Sequence, residues 1–198
     1  VSAFSVVAIA VLALAAAVIG YVIVTYNALV RGRTMVEEGW SGIDVQLQRR
    51  ADLVPPLVDV VRAHAAHERG IFEEIAEKRA AAMSARGRED RAAAEQGLTG
   101  ALGRLFALAE AYPTLTADKS FLNLQQNLSE VENTLQDARR YYNATVRDQN
   151  VRVQSFPSSL VASGFGFGTA SFFDAGPDEA LRRPPRIALG GPGGIPGA

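Results

Sequence analysis

The first thirty residues contain no Asp, Glu, Lys or Arg. Residues 1–24 are almost wholly Ala, Val, Ile and Leu, with Ser2, Ser5, Gly20 and Tyr21 as mild interruptions. About 20 apolar residues in a helix cross a hydrocarbon layer of about 30 Å. The run therefore predicts a transmembrane anchor over residues 1–25. Tyr21 and Tyr26 stand at its end, where an interfacial aromatic belt belongs, and Arg31 and Arg33 follow at once. These four residues form the expected membrane interface. No Lys or Arg precedes the run, so the positive-inside rule places the N-terminus outside and the remainder in the cytoplasm. A cleaved signal peptide has a basic start and a shorter apolar stretch, and this run has neither. A buried core helix is the other rival, but a charge-free stretch this long is uncommon in a soluble domain.

All charge thus falls on the rest of the chain, 20 basic against 21 acidic groups for a net −1. That balance argues against a general attraction to nucleic acid. The absence of cysteine excludes disulfides, thiolate metal sites and cysteine nucleophiles. The length of 198 residues suits one medium domain with extensions.

From Tyr26 the pattern is helical. Tyr26, Leu29, Arg33, Val36, Trp40, Ile43, Leu47, Arg50 and Val54 recur at steps of three and four, a bundle-facing stripe. Gly20, Gly32, Gly39 and Gly42 weaken this stretch without breaking it, so one helix is expected to run from the bilayer into the aqueous domain. Pro55-Pro56 predicts a boundary, because the residue before a proline is pushed out of the α region. Asp52 is a candidate N-cap for a second helix bearing Leu57, Val61, His64, Glu68, Ile71 and Ile75. Ser84 to Arg88 reads as a turn. A third helix carries Leu98, Ala101, Leu105, Leu108 and Tyr112, and Pro113 ends it. Thr116, Asp118 or Ser120 is placed to cap a fourth, whose coiled-coil-like seam runs Phe121, Leu124, Leu128, Val131, Leu135, Ala138, Tyr142 and Thr145.

The expected fold is therefore all-α: a transmembrane helix continuing into an antiparallel up-and-down four-helix bundle over residues 26–155. Residues 156–175 are apolar, aromatic and Gly-broken, and are expected to pack on the bundle or the membrane. Residues 176–198 are rich in Gly and Pro, which predicts a disordered tail.

The chain resembles the LemA family of bacterial membrane proteins. The resemblance rests on Tyr26-Asn27-Ala28-Leu29-Val30, the stretch from Trp40 to Pro55, His67-Glu68 and Tyr112-Pro113. It rests most on Phe121-Leu122-Asn123-Leu124-Gln125, Ala138-Arg139-Arg140-Tyr141-Tyr142-Asn143 and Gln154-Ser155-Phe156-Pro157-Ser158. Where the family has a basic-aromatic end after Phe-Gly-Phe, this chain has Gly168-Thr169-Ala170-Ser171. The resemblance implies one N-terminal membrane helix, a short external N-terminus and a helical cytoplasmic domain at the inner membrane. It carries no catalytic residues, and some relatives are tied to shaping bacterial membrane compartments.

Candidate chemistry is sparse. Zinc proteases place two histidines four apart on a helix with a glutamate beside the first. Here His64 and His67 are three apart, followed by Glu68, and no third ligand is evident. The favoured reading is a polar cluster of Asp44, Arg50, His64, His67 and Glu68, with Arg50 pairing Glu68 across a seam and fixing helix register. Arg139-Arg140-Tyr141-Tyr142 mixes basic and aromatic groups as single-strand binders do, but Tyr142 falls on the core face. Gly-Phe-Gly-Phe-Gly has no following Lys and is not a phosphate loop. It reads either as a segment returning to the membrane surface or a neighbouring subunit, or as a loop over the end of the bundle.

These observations predict a non-enzymatic scaffold or adaptor that needs no cofactor and no metal. Its expected partners are the lipid bilayer, further copies of itself as a homo-oligomer and a membrane protein. The rival functions are a metal-assisted hydrolase using His64, His67 and Glu68, and a ligand-binding bundle.

Overall fold

The computed structural model describes residues 3–173; the expected tail over 176–198 lies outside them. Among the described residues there are six helices and no strand. They are α1 (Ala3–His64), α2 (Arg69–Ser84), α3 (Arg88–Glu110), the short α4 (Pro113–Thr116), α5 (Lys119–Gln154) and the short α6 (Ser158–Gly164).

Up to Val54, α1 contains no proline and nothing local forces a stop. Its first third is apolar and unburied: Leu12 is 70% exposed and Leu14 67%. It is long and apolar enough to cross a membrane. Beyond Val24 the same helix acquires a buried stripe of Leu29, Gly32, Val36, Gly39, Ile43, Leu47 and Arg50. Arg33, expected on this stripe, is exposed, and Tyr26 and Trp40 sit at its margins.

The boundary expected at Pro55-Pro56 is absent, and Asp52 caps nothing there; α1 continues to His64. A proline inside a helix removes an N–H and leaves the carbonyl four residues earlier without its partner. For Pro55 that carbonyl belongs to Ala51, itself buried, and Arg79 Nε of α2 donates to it at 2.6 Å. Both prolines lie on the exposed side, while Val54, Leu57, Val58 and Val61 anchor the opposite face in the core. Tertiary packing and one side-chain donor thus carry the helix past a local breaker. The segment 57–64, expected to open the second helix, is the end of the first.

The other boundaries follow local chemistry. Gly87 has φ +92° in the turn between α2 and α3, a region that favours glycine. Asp118 caps α5 through its carboxylate, which accepts from Ser120 N at 2.7 Å and Phe121 N at 3.0 Å.

α1 and α5 form the main seam. Contacts step down α5 as they step up α1: Gln149 Nε2 donates to Leu29 O at 3.2 Å, and Arg50 meets Glu132 at 3.8 Å. Two glycines allow this closeness. A Cβ at Gly32 would fall 2.0 Å from Gln149 Oε1, and one at Gly39 would fall 3.2 Å from Tyr142 Cα. These glycines are interface positions rather than weak points in the helix. Gly20 and Gly42 have open space around them.

The buried apolar residues form three groups along this seam. The far end joins Val54–Val61 to Phe72, Ile75, Leu98, Leu105, Leu115 and Phe121. The middle holds Val36, Ile43, Leu47, Leu135, Tyr142, Val146 and Phe173. The end nearest the apolar run joins Leu29 to Val161 and Ala162.

Candidate functional site

Between the far and middle groups lies a cluster of buried charge. Arg50 is 3% exposed and Glu95, on α3, is 1% exposed. Arg50 Nη1 donates to Glu95 Oε2 at 3.2 Å, and Nη2 donates to Thr99 Oγ1 at 2.7 Å and reaches Glu132 of α5 at 3.8 Å. Thr99 Oγ1 in turn donates to the Glu95 carbonyl at 2.9 Å. Arg91 ties in from the rim, 3.3 Å from Asp44 and 3.7 Å from Glu95 Oε1. One guanidinium therefore links α1, α3 and α5 at a single level. Burial pushes the Glu95 carboxyl above its ordinary value, and Arg50 and then Arg91 pull it back only in part.

The expected polar cluster is thus divided. Arg50 and Asp44 enter this network, through Glu95 and Arg91. The Arg50 carboxylates are Glu95 and Glu132, not the expected Glu68. His64 ends α1, His67 lies in the following turn and Glu68 precedes α2; both histidines are exposed. Among the described residues no group of three or more His, Asp or Glu is arranged to hold a metal ion.

A second cluster binds the chain's own C-terminal segment. Asn150 Nδ2 donates to Ala170 O at 2.9 Å and its Oδ1 accepts from Ala170 N at 2.8 Å. Asn143 holds Phe173 in the same two-handed way, at 3.1 and 2.9 Å. Seven helical residues span about 10.5 Å, and three extended residues span about 10 Å. The asparagine spacing therefore matches the extended backbone it grips. Phe173 then drops edge-on to Trp40 at 5.2 Å, and Trp40 meets Tyr142 at 5.8 Å. The Arg88 guanidinium lies over Trp40 and Tyr142, and Arg139 lies over Phe173. The Tyr142 hydroxyl accepts from Arg88 Nη1 at 3.0 Å and donates to Ser171 O at 2.7 Å. Burial raises the Tyr142 hydroxyl above its ordinary value. Of the Arg-Arg-Tyr-Tyr run, Arg139 and Tyr142 are consumed in this packing, and Arg140 pairs with Asp137.

At the end of the apolar run, Tyr26 stands edge-on to Phe165 at 5.0 Å and to Phe167 at 5.7 Å. Tyr21, Arg31 and Arg33 are exposed around it, and Arg33 pairs with Glu37 at 3.9 Å.

Sequence reasoning missed Glu95, Arg91, Thr99, Asn143 and Asn150 as partners. A signal existed for some. Arg91 and Glu95 stand seven and three residues before Leu98, in the register of the buried face, and Asn143 and Asn150 share a helix side seven apart.

The sequence pattern of the LemA family matches residues 39–189. The chain is 30% identical over 199 aligned positions to magnetosome protein MamQ of Magnetospirillum gryphiswaldense, covering 86% of this chain and 72% of that one. It is 28% identical over 187 positions to magnetosome proteins MamQ 1 and MamQ 2 of Paramagnetospirillum magneticum, covering 81% of this chain and 69% of each.

Proposed function

The chain belongs to the LemA family, and from that premise we propose that it is a non-enzymatic scaffold or adaptor anchored in the inner membrane. One observation carries this reading: α1 passes without a break from an unburied apolar run into the seam with α5. An anchor joined to its domain by one helix transmits position and orientation, which is what a scaffold requires. α1, α2, α3 and α5 are the four members of an antiparallel up-and-down bundle in this reading, with the network around Arg50 and Glu95 fixing their register. The opposed stepping of contacts along α1 and α5 supports that arrangement. The basic residues that follow the apolar run favour an external N-terminus and a cytoplasmic bundle.

The scaffold acts by self-association, with a role in membrane organisation and a further membrane protein as its client. The MamQ relatives are magnetosome proteins by name, which supports a place among proteins of a membrane-bound assembly. Light scattering of the full chain in mild detergent tests the self-association. An oligomer is expected, and a strictly monomeric particle overturns it. The rival hydrolase needs His64, His67 and Glu68 on one ion. Elemental analysis of the purified full chain decides that point: a stoichiometric transition metal would revive it.

A further inference from the structure

α6 doubles back beside α5 and lies against α1 where the apolar run ends. Its inner side is buried: Val161 and Ala162 pack on Leu29, with Val22, Val153 and Phe167 around them. Its outer side has large apolar groups in the open. Leu160 on the helix is 65% exposed, Phe156 just before it 80% and Phe165 just after it 58%. Scattered exposed apolar residues need no explanation. These three gather on one short segment, and Phe165 is in ring contact with Tyr26 at the anchor's end.

Cations stand immediately behind them. The Arg33 guanidinium lies 5.9 Å from the Phe167 ring. Arg152 reaches Gly32, to within 3.0 Å of where a Cβ would stand. Arg31 is exposed one residue before Gly32. The acidic groups nearby are Glu37, which pairs with Arg33, and Asp148, one turn before Arg152. An apolar edge backed by arginines, at the level where a membrane helix leaves the hydrocarbon, matches the two zones of a lipid interface. Apolar side chains enter the acyl boundary to about 5–10 Å, and cations meet headgroup phosphates.

Resting on the reading that α1 crosses the bilayer, we infer that Phe156, Leu160 and Phe165 insert into the bilayer interface while Arg31, Arg33 and Arg152 face anionic headgroups. The domain is then held to the membrane at a second point beside its anchor. That contact fixes its rotation about α1, which a single helix cannot do. Asn143 and Asn150 contribute by pinning the chain after α6, which keeps the segment from swinging away.

The chain has no cysteine, so single positions can be labelled in the full chain. Phe156→Cys, Leu160→Cys and Phe165→Cys would each carry a nitrobenzoxadiazole probe, with the protein reconstituted in phosphatidylcholine–phosphatidylglycerol vesicles. Leu14→Cys reports on the anchor, and Val45→Cys and Leu122→Cys report on exposed apolar positions elsewhere. The expected result is blue-shifted emission at 156, 160 and 165, quenched more by a nitroxide near the headgroup than by one near the acyl end. Leu14→Cys should show the reverse preference, and Val45→Cys and Leu122→Cys should show neither effect. Water-like emission at the α6 positions with a quenched Leu14→Cys overturns the second contact alone. Blue-shifted emission at those positions without lipid quenching also overturns it, since protein, such as a second copy, then covers the segment. An unquenched Leu14→Cys removes the anchor reading itself.

Discussion

Arg50 shows how much a single residue can decide here. It is buried on α1 with Glu95 as its closest carboxylate, so removing it leaves a desolvated acid behind. Breaking a buried pair in this way costs about 3–5 kcal/mol, and Arg50→Met should lower thermal stability on that scale at pH 8. The pH dependence has a definite sign. Burial already raises Glu95 from its ordinary 4.5. A raised acid contributes stability that is present below its unfolded value and lost as pH rises through its folded value. Without Arg50 the folded value rises further, so Arg50→Met should be better tolerated at pH 5 than at pH 8, as melting followed by circular dichroism would show. Equal losses at both pH values would contradict this. Asp118 has the opposite sign. The Phe121 N–H first, and then the Ser120 N–H, hold its carboxylate below its ordinary value. Its contribution is present above the unfolded value of 3.8 and lost as pH falls through the folded one. Asp118→Ala should therefore melt earlier than the parent at pH 7, with the gap narrowing as the medium reaches pH 3. Both positions were partly legible in the sequence: Arg50 stands in the core register of its helix, and Asp118 was one of three cap candidates before Phe121. Their partners were not legible. Which acid meets Arg50 depends on how α3 lies across α1, and spacing within one helix cannot supply that.

The same division holds for the helices. Periodicity located the stripe of α1 and the seam of α5, because an amphipathic face writes its period locally. It misplaced the end of α1, because the donor to the Ala51 carbonyl, which Pro55 leaves unpaired, comes from Arg79, 28 residues after Ala51. Arg79→Leu should thus leave the buried Ala51 carbonyl without its partner, at about 1–3 kcal/mol. Arg79→Lys keeps a donor and should lose less; equal melting of the two variants would show that the contact does not hold the helix. The glycines were misjudged for a similar reason. Helix propensity treats Gly39 and Gly42 alike, whereas only Gly39 lies against the α5 backbone. Gly39→Val should destabilise by about 1–3 kcal/mol through overpacking. Gly42→Ala, facing open space, should stabilise by up to about 1 kcal/mol. The same sign for both substitutions in urea unfolding would contradict a close α1–α5 approach.

Across the whole molecule, the charge-free opening run and the folded domain share one element. The α1 side of the α1–α5 seam belongs to a helix that begins as unburied apolar surface, so on the proposed reading orientation set in a bilayer would pass directly into the domain. The sequence carried this continuity plainly, as an apolar run that becomes an amphipathic stripe with no breaker between them. It did not reveal how the C-terminal segment is held, because Asn143 and Asn150 recognise backbone rather than any side chain in it. A spin-label scan of the full chain in lipid vesicles tests the shared helix most directly, with single cysteines placed in turn from Phe4 to Trp40. An unbroken α1 predicts oxygen-accessible, water-shielded labels up to about Val24. From there on, accessibility to an aqueous nickel reagent should alternate with a helical period of about 3.6 residues, with minima at Leu29 and Val36 on the buried stripe. Water accessibility within residues 6–20, or loss of the helical period between Val24 and Val36, would contradict it.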